Sequence, residues 1–155
     1  MLRIALILSA SINVSGAMAA DSTHSMKSAD GKSIVVTWWE SMATCYGRFQ
    51  AIGQYVEDKS KSDAKTLLDY SNIAYNLALK RLMDERSITL ADAQTVALPV
   101  ARQSVQLTAQ GFAIYRMTGV VDQKNRELVG SCMAELNDYA KVFPGELNTG
   151  QLQSP

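Results

Sequence analysis

Four segments of this 155-residue chain repeat apolar side chains at intervals of three and four residues, the spacing of one helix face. In the first segment, Thr37 and Glu40 have the spacing of a capping box, so a helix is predicted to begin there and to end near Glu57 or Asp58. Its apolar face comprises Trp39, Met42, Cys45, Tyr46, Phe49, Ile52 and Val56. This pattern predicts packed helices rather than a sheet.

Two further segments have comparable start and stop signals. The second helix is predicted to use Ser60 or Ser62 as its N-cap and to end around residues 84–86. The fourth helix is predicted to begin with Asp122 as its cap and to run to Val142, where a Pro-Gly pair stops it. The second helix has a wide apolar arc, which indicates contact with two neighbours.

The third segment differs because Pro99 lies inside its apolar pattern. Thr89 is its predicted N-cap, and we expect a kink at Pro99 or a break near Ala97, since a proline removes one hydrogen bond and crowds the preceding turn. The run Ile34-Val35-Val36 resembles a strand but is too short to make a sheet alone. The expected fold class is therefore all-α, an antiparallel four-helix bundle with helix three kinked at Pro99.

The N-terminus has the three parts of a secretory signal peptide. Met1-Leu2-Arg3 is positively charged, the run from Ile4 to Ile12 is apolar, and Ala17-Met18-Ala19 has the small residues of a cleavage site. We expect cleavage near Ala19/Ala20 and a periplasmic or secreted protein. The apolar run is far shorter than the roughly 20 residues that span a bilayer, so no transmembrane segment is expected after cleavage.

Polar, aperiodic sequence flanks the helical region. The predicted regions are a signal peptide (1–19), a flexible N-terminal arm (20–33), a helical domain (34–145) and a flexible C-terminal tail (146–155). The chain has 15 basic and 15 acidic residues, and the loss of Arg3 with the signal leaves 14 against 15. A near-neutral protein without a dense basic patch is not expected to bind nucleic acid.

The two cysteines, Cys45 and Cys132, lie on the apolar faces of the first and fourth helices. In an exported protein, two cysteines without a third most often form a structural disulfide. A redox pair usually has C-x-x-C spacing near a helix start, which is missing here, and two free thiols are the remaining alternative. The predicted disulfide closes a loop of roughly 86 residues and destabilises the unfolded chain by about 4–5 kcal/mol.

A glycine lies two positions from each cysteine, at Gly47 and Gly130. Two positions on a helix turn through about 200°, so neither glycine makes room for the disulfide, and both are expected to permit close approach by another helix. The stretch Cys45-Tyr46-Gly47-Arg48-Phe49 is similar to the C-x-G-[YF] stretch of helical immunity proteins against secreted amidases. The similarity covers these five residues, and no site residue is carried over from it.

The sequence contains no recognisable catalytic or metal-binding motif. The single histidine, His24, lies in the polar arm and is expected to be exposed and mobile, which makes it a poor base or ligand. Haem-attachment, zinc-protease, nucleotide-binding, serine-hydrolase and di-iron motifs are missing. Glu135 and Asp138 lie three positions apart and are expected on a solvated face. We expect no catalytic residue, no cofactor and no metal.

Aromatic residues are the candidates for partner binding. Trp38 and Trp39 are adjacent, so that when one faces the core the other points about 100° away and could serve as an anchor. The favoured interpretation, however, is that both tryptophans are buried against the arm or a neighbouring helix. Tyr55, Tyr70 and Tyr115 lie beside the main apolar faces and would form an aromatic surface if they cluster. The candidate partner-binding residues are Trp38, Trp39 and Tyr55.

The predicted export and the missing catalytic set favour a non-enzymatic protein-binding module, such as an inhibitor or immunity-type protein. Its partner would be another envelope or secreted protein. The alternative is small-molecule or lipid binding in the bundle interior, and a cavity beside an unpaired polar group would favour it. A dry core with a contiguous exposed aromatic patch would favour protein binding. An enzyme would need several carboxylates with shifted pKa values in one cleft.

Overall fold

The computed structural model describes residues 21–27 and 31–149 as four long helices preceded by a short β-hairpin. The elements are β1 (Thr23–Lys27), β2 (Ser33–Thr37), α1 (Trp38–Val56), α2 (Lys61–Arg86), α3 (Leu90–Met117), α4 (Val121–Val142) and a 3₁₀ helix (Glu146–Thr149). The expected helical architecture is confirmed, with the hairpin as an addition. Of the helices described, none is both long and apolar enough to traverse a bilayer. The predicted signal peptide lies outside the described residues.

The α1 helix is the centre of the fold. Its predicted capping box is present: the Thr37 hydroxyl accepts from the Glu40 backbone N–H at 3.3 Å, and the Glu40 carboxylate accepts from the Thr37 backbone N–H at 3.0 Å. Buried residues occur on every side of α1 rather than on one face, which is typical of an interior helix. The α2 and α3 helices pack extensively on α1, whereas α4 contacts it less and contacts α3 only slightly.

The predicted starts of α2 and α3 are confirmed. The Ser60 hydroxyl accepts from the Asp63 backbone N–H at 3.3 Å, and the Thr89 hydroxyl accepts from the Asp92 backbone N–H at 3.2 Å. The α3 helix continues through Pro99, so the expected break is wrong. Pro99 is solvent-exposed, whereas Ala97 and Ala101 on either side of it are buried in the core. The kink stays a prediction, since continuity alone does not define a bend.

The start of α4 differs from the prediction. Val120 occupies the N-cap position without a side-chain hydrogen bond, and Asp122 is the second residue of the helix rather than its cap. The Asp122 carboxylate lies 3.4 Å from the Lys59 Nζ, and a carboxylate in the first turn still stabilises the helix through its dipole. At the other end, α4 stops at Val142 before the Pro-Gly turn, as predicted.

The predicted flexible arm is replaced over residues 23–27 by a strand. β1 pairs with β2 in antiparallel register, with His24 opposite Val36 and Met26 opposite Ile34. The Met26 side chain is buried in the main core, and the Trp38 backbone N–H donates to the Ser22 carbonyl at 3.1 Å. The short apolar run of β2 therefore forms a sheet because a partner strand and the helical core complete it.

The predicted flexible tail is likewise structured over residues 146–149. The Glu146 carboxylate accepts hydrogen bonds from the Tyr139 hydroxyl at 2.7 Å and from the Arg81 guanidinium at 2.6 Å. These contacts join the 3₁₀ helix to α2 and α4. The polar composition of this segment did not reveal these contacts, because Arg81 is distant in the sequence and Tyr139 lies on α4.

The predicted disulfide is confirmed. Cys45 on α1 and Cys132 on α4 are bonded, with their Cα atoms 5.4 Å apart and a sequence separation of 87. A disulfide of this kind is typical of proteins in oxidising compartments. The α4 helix contacts α1 less than α2 and α3 do, so this covalent bond is an attachment of α4 to α1 that does not depend on packing.

The two glycines beside the cysteines have different roles. A Cβ atom at Gly47 would lie 2.5 Å from the Ser104 Cβ and 2.6 Å from the Val105 backbone nitrogen, so α1 and α3 meet there as closely as a glycine permits. The expectation is confirmed for Gly47. It is wrong for Gly130, where an added Cβ would meet no atom of the described residues within 4 Å.

Removing the disulfide should detach α4 first. The Cys45→Ala/Cys132→Ala variant is expected to lose about 4–5 kcal/mol of unfolding free energy, the value for a loop of this length. Urea unfolding measures the total loss, and amide hydrogen exchange locates it. We expect α4 to lose protection well before α1, α2 and α3. Equal loss of protection in all four helices would contradict the view that the bond specifically holds α4.

The glycines offer a matched pair of substitutions. Gly47→Ala is expected to lower the melting temperature because the new methyl group clashes with α3 backbone. Gly130→Ala is expected to raise the free energy of unfolding by about 0.5–1 kcal/mol, since it removes a flexible residue from an open helix position. Thermal denaturation of both variants checks this. A stabilised Gly47→Ala protein would contradict the close helix approach.

Candidate binding sites

Trp38 lies in the core and is only 5% exposed. The His24 ring stacks on it, with centroids 3.6 Å apart, and Tyr139 and Phe143 present their rings at steep angles at 5.6 and 5.9 Å. The expectation of an exposed, mobile His24 is therefore wrong. The hairpin holds His24 against α1, where the His24 ring covers one face of Trp38.

Trp39 is 6% exposed and is also fixed by the N-terminal segment. Its Nε1 donates to the Asp21 carboxylate at 3.1 Å, and the Arg86 guanidinium lies 5.3 Å from its ring centroid. Hydrogen bonding from Arg86 lowers the pKa of the Asp21 carboxyl, so this residue stays ionised. Neither tryptophan offers the exposed ring that an anchor for a partner requires, and the favoured interpretation, burial of both against the N-terminal segment, is confirmed.

Glu135 is buried rather than solvated. Its carboxylate accepts from the Ser41 hydroxyl at 2.8 Å and lies 3.5 Å from the His24 Nδ1. The three groups join β1, α1 and α4. Although Ser, His and Glu meet here, the serine donates to the carboxylate and not to the histidine, which is not the order of a nucleophile and its base. The cluster therefore fits a structural role.

Tyr55 is partly buried, and charged side chains cover its ring. The Lys59 Nζ lies 4.7 Å and the Arg116 Cζ 4.8 Å from the ring centroid, and Phe112 packs at 4.8 Å. Tyr70 instead packs on Phe49, and the described ring contacts do not join it to Tyr55. A single aromatic surface is thus not found in the described part of the chain.

A groove lies between α3 and α4, with α1 at its floor, and has a volume of about 300 Å³. We call it the Arg48 groove. Its polar lining residues are Thr44, Arg48, Gln103, Ser104 and Thr108. Its apolar lining residues are Val100, Leu107, Tyr115 and Leu128, together with Gly111. The Ser104 hydroxyl already donates to the Thr44 carbonyl at 2.7 Å. Arg48 is the ionised residue of the lining.

Arg48 is 6% exposed but has no carboxylate within ion-pair distance among the described residues. Its one hydrogen bond to a described residue is a weak contact from Nη1 to the Cys132 Sγ at 3.9 Å. Burial lowers the pKa of the guanidinium, and the Glu135 charge partly offsets this effect. Arginine remains protonated at neutral pH, so the groove contains a largely buried cation that the Glu135 charge compensates only in part and without an ion pair.

A second cavity lies on the opposite side of α4, between α4 and α2 and above α1. Its volume is about 650 Å³, and we call it the Asn125 pocket. Asn125 is 5% exposed, and neither its Nδ2 nor its Oδ1 has a hydrogen-bond partner among the described residues. A buried polar group without a partner costs about 1–3 kcal/mol, so this amide requires an explanation.

Sequence reasoning missed both polar residues. Arg48 follows Cys45 by one helical turn, so a charge lies beside the predicted disulfide, and Asn125 precedes Cys132 by two turns on nearly the same face. A polar residue at an apolar helix position is the signal that could have identified each of them. Their proximity to a cavity could not be predicted, because the gaps beside α4 depend on how the helices pack.

Comparison with known proteins finds no matching family model, no similar curated protein and no similar solved structure. Within residues 21–27 and 31–149, no group of three or more histidine, cysteine or acidic side chains could hold a metal ion. The two cavities are therefore interpreted from their own chemistry.

Arg48 should contribute little to stability if it serves a ligand. Arg48→Met is expected to leave the unfolding free energy within about 1 kcal/mol of the original or to raise it, because apolar replacement of a buried charge is often neutral or stabilising. Urea unfolding measures the change. Arg81→Met is the control and should be destabilising, since it breaks 2.6 Å ion pairs to Asp84 and Glu146. A loss of about 3 kcal/mol or more in Arg48→Met would make Arg48 a structural residue.

Proposed function

We propose that this protein is an exported, non-enzymatic binding protein that recognises another envelope or secreted protein through the Arg48 groove. The buried guanidinium of Arg48, which forms no ion pair with any described residue, carries this proposal. A partner that inserts an aspartate or glutamate side chain would supply the missing anion, and the planar guanidinium can bind a carboxylate through two hydrogen bonds. An inhibitor or immunity-type role fits a module that binds without catalysis.

The surroundings of Arg48 favour a protein partner over a small free anion. The α3 helix presents large exposed apolar side chains at Leu107 in the groove lining and at Ile114 and Met117 beyond it. From Leu107 to Met117 the helix rises about 15 Å, more than a single small anion would cover. An acidic side chain flanked by apolar residues would pair with Arg48 and cover this row. The described aromatic residues are not needed for such a surface.

Export and helix arrangement complete the proposal. The disulfide is consistent with an oxidising compartment, which supports the signal-peptide interpretation. We further infer that the four helices run antiparallel, because connections as short as residues 57–60, 87–89 and 118–120 return the chain at once to a neighbouring position. This arrangement leaves α4 beside α1 and opens a gap on each side of it.

Selection of random 16-residue peptides against the oxidised protein tests the proposal. We expect enriched peptides to contain an aspartate or glutamate next to apolar residues. Their affinity should fall at least about tenfold for Arg48→Met, since removing one member of a buried charge pair costs about 2–5 kcal/mol. Replacing the acidic residue of the peptide with its amide should weaken binding similarly.

Two matched variants separate the groove from the rest of the surface. Gly111→Leu places bulk in the Arg48 groove beside Tyr115 and should block the peptides, whereas Gly130→Leu on the far side of α4 should not. The proposal is wrong if no peptide is enriched, if the enriched peptides lack acidic residues, or if they bind Arg48→Met as tightly as the original protein.

A further inference from the structure

The Asn125 pocket is a second site, independent of the Arg48 groove, because the two linings share no residue. Its volume of about 650 Å³ is in the usual range of small-molecule sites. Its walls are mostly apolar and come from three helices: Ile52, Val56, Leu67, Tyr70, Val129 and Met133. Apolar contacts would hold most of a ligand in such a pocket. The orientation of the ligand and the selectivity for it must come from a polar group.

Asn125 is the polar group in position to supply that selectivity. The amide offers one donor group and one acceptor, and both lack a partner in the described structure. Both atoms are covered from solvent, and the residue belongs to the pocket lining. The terminal torsion of an asparagine is soft, so the amide can turn toward a bound molecule without moving the helix. A ligand that both accepts and donates would satisfy the two atoms together.

The charges at the pocket rim favour an uncharged ligand. Asp63 and Asp122 contribute negative charges, and Arg126 contributes a positive one. The Lys59 Nζ lies 3.4 Å from Asp122 and offsets the second carboxylate. The rim is therefore close to neutral as a whole, and the pocket interior has no ionised side chain that would compensate a charged ligand for its desolvation.

We propose that the Asn125 pocket binds a small, uncharged molecule with an apolar body and a carboxamide-type group that pairs with the Asn125 amide. A primary amide or a lactam has the required adjacent donor and acceptor. A carboxylate offers only acceptors, and a hydrocarbon offers neither. Asn125 thus selects among molecules of similar size by hydrogen bonding rather than by shape.

Three probes of nearly equal size test this selection: benzamide, benzoate and toluene. Binding to the oxidised protein is followed by NMR, using the Asn125 side-chain NH₂ signals and the backbone amides of α4. We expect saturable binding of benzamide, at least tenfold tighter than that of benzoate or toluene, with the largest shifts at Asn125. Gly111→Leu, which alters the Arg48 groove, should leave this binding unchanged.

Two variants locate the interaction. Asn125→Leu keeps the side-chain size and removes the amide, so benzamide should lose at least tenfold in affinity while toluene binds as well as before or better. Gly130→Leu keeps Asn125 but fills the pocket, where the glycine leaves open space, and should weaken all probes. A helical circular dichroism spectrum and a melting temperature at least equal to the original would show that Asn125→Leu is folded.

The proposal is overturned if benzamide gives no saturable shifts. It is equally overturned if toluene binds as tightly as benzamide, which would mean apolar filling only, or if Asn125→Leu binds benzamide unchanged. Failure of the peptide selection would not produce any of these results, because that experiment depends on Arg48 and on the other side of α4.

Discussion

The covalent bond between Cys45 and Cys132 is the constraint on which the rest of the structure depends. The α2 and α3 helices are held to α1 by broad packing, including the close approach at Gly47. The α4 helix contacts α1 less and touches α3 only slightly, and the disulfide sets its distance from α1 at Cys45. Leu136 and Tyr139 also bury the C-terminal half of α4 in the core, whereas space remains beside residues 122–133. Both cavities lie in that space, one on each side of α4.

The two cavities have one physical feature in common but differ in charge. Each contains one polar side chain that the described residues leave without an adequate partner, Arg48 in the groove and Asn125 in the pocket. An ionised guanidinium requires an anion, whereas a neutral amide requires a donor and an acceptor together. The larger apolar volume around Asn125 fits a whole small molecule, and the exposed apolar row beside Arg48 fits a chain that extends past the groove.

The N-terminal hairpin shows why the local sequence pattern could not predict the contacts of Trp38 and Trp39. Residues 21–27 are polar and aperiodic, yet they pack against α1 through His24 on Trp38 and Asp21 on Trp39. The β1 strand forms because β2 pairs with its backbone and the helical core packs against it. The composition of residues 21–27 predicts neither contact. The buried position of Glu135 has the same cause, since Ser41 and His24 reach it from distant parts of the sequence.

The sequence by itself determined the features that depend on neighbouring residues. Helix positions follow from apolar spacing, the caps at Thr37, Ser60 and Thr89 need only the next few backbone N–H groups, and the cysteine pair follows from composition and position on two apolar faces. Only the tertiary structure decided which side chains are buried and which gaps remain. Burial and gaps depend on the relative placement of whole helices. The cavities beside α4, rather than any local motif, therefore identify Arg48 and Asn125 as candidate site residues.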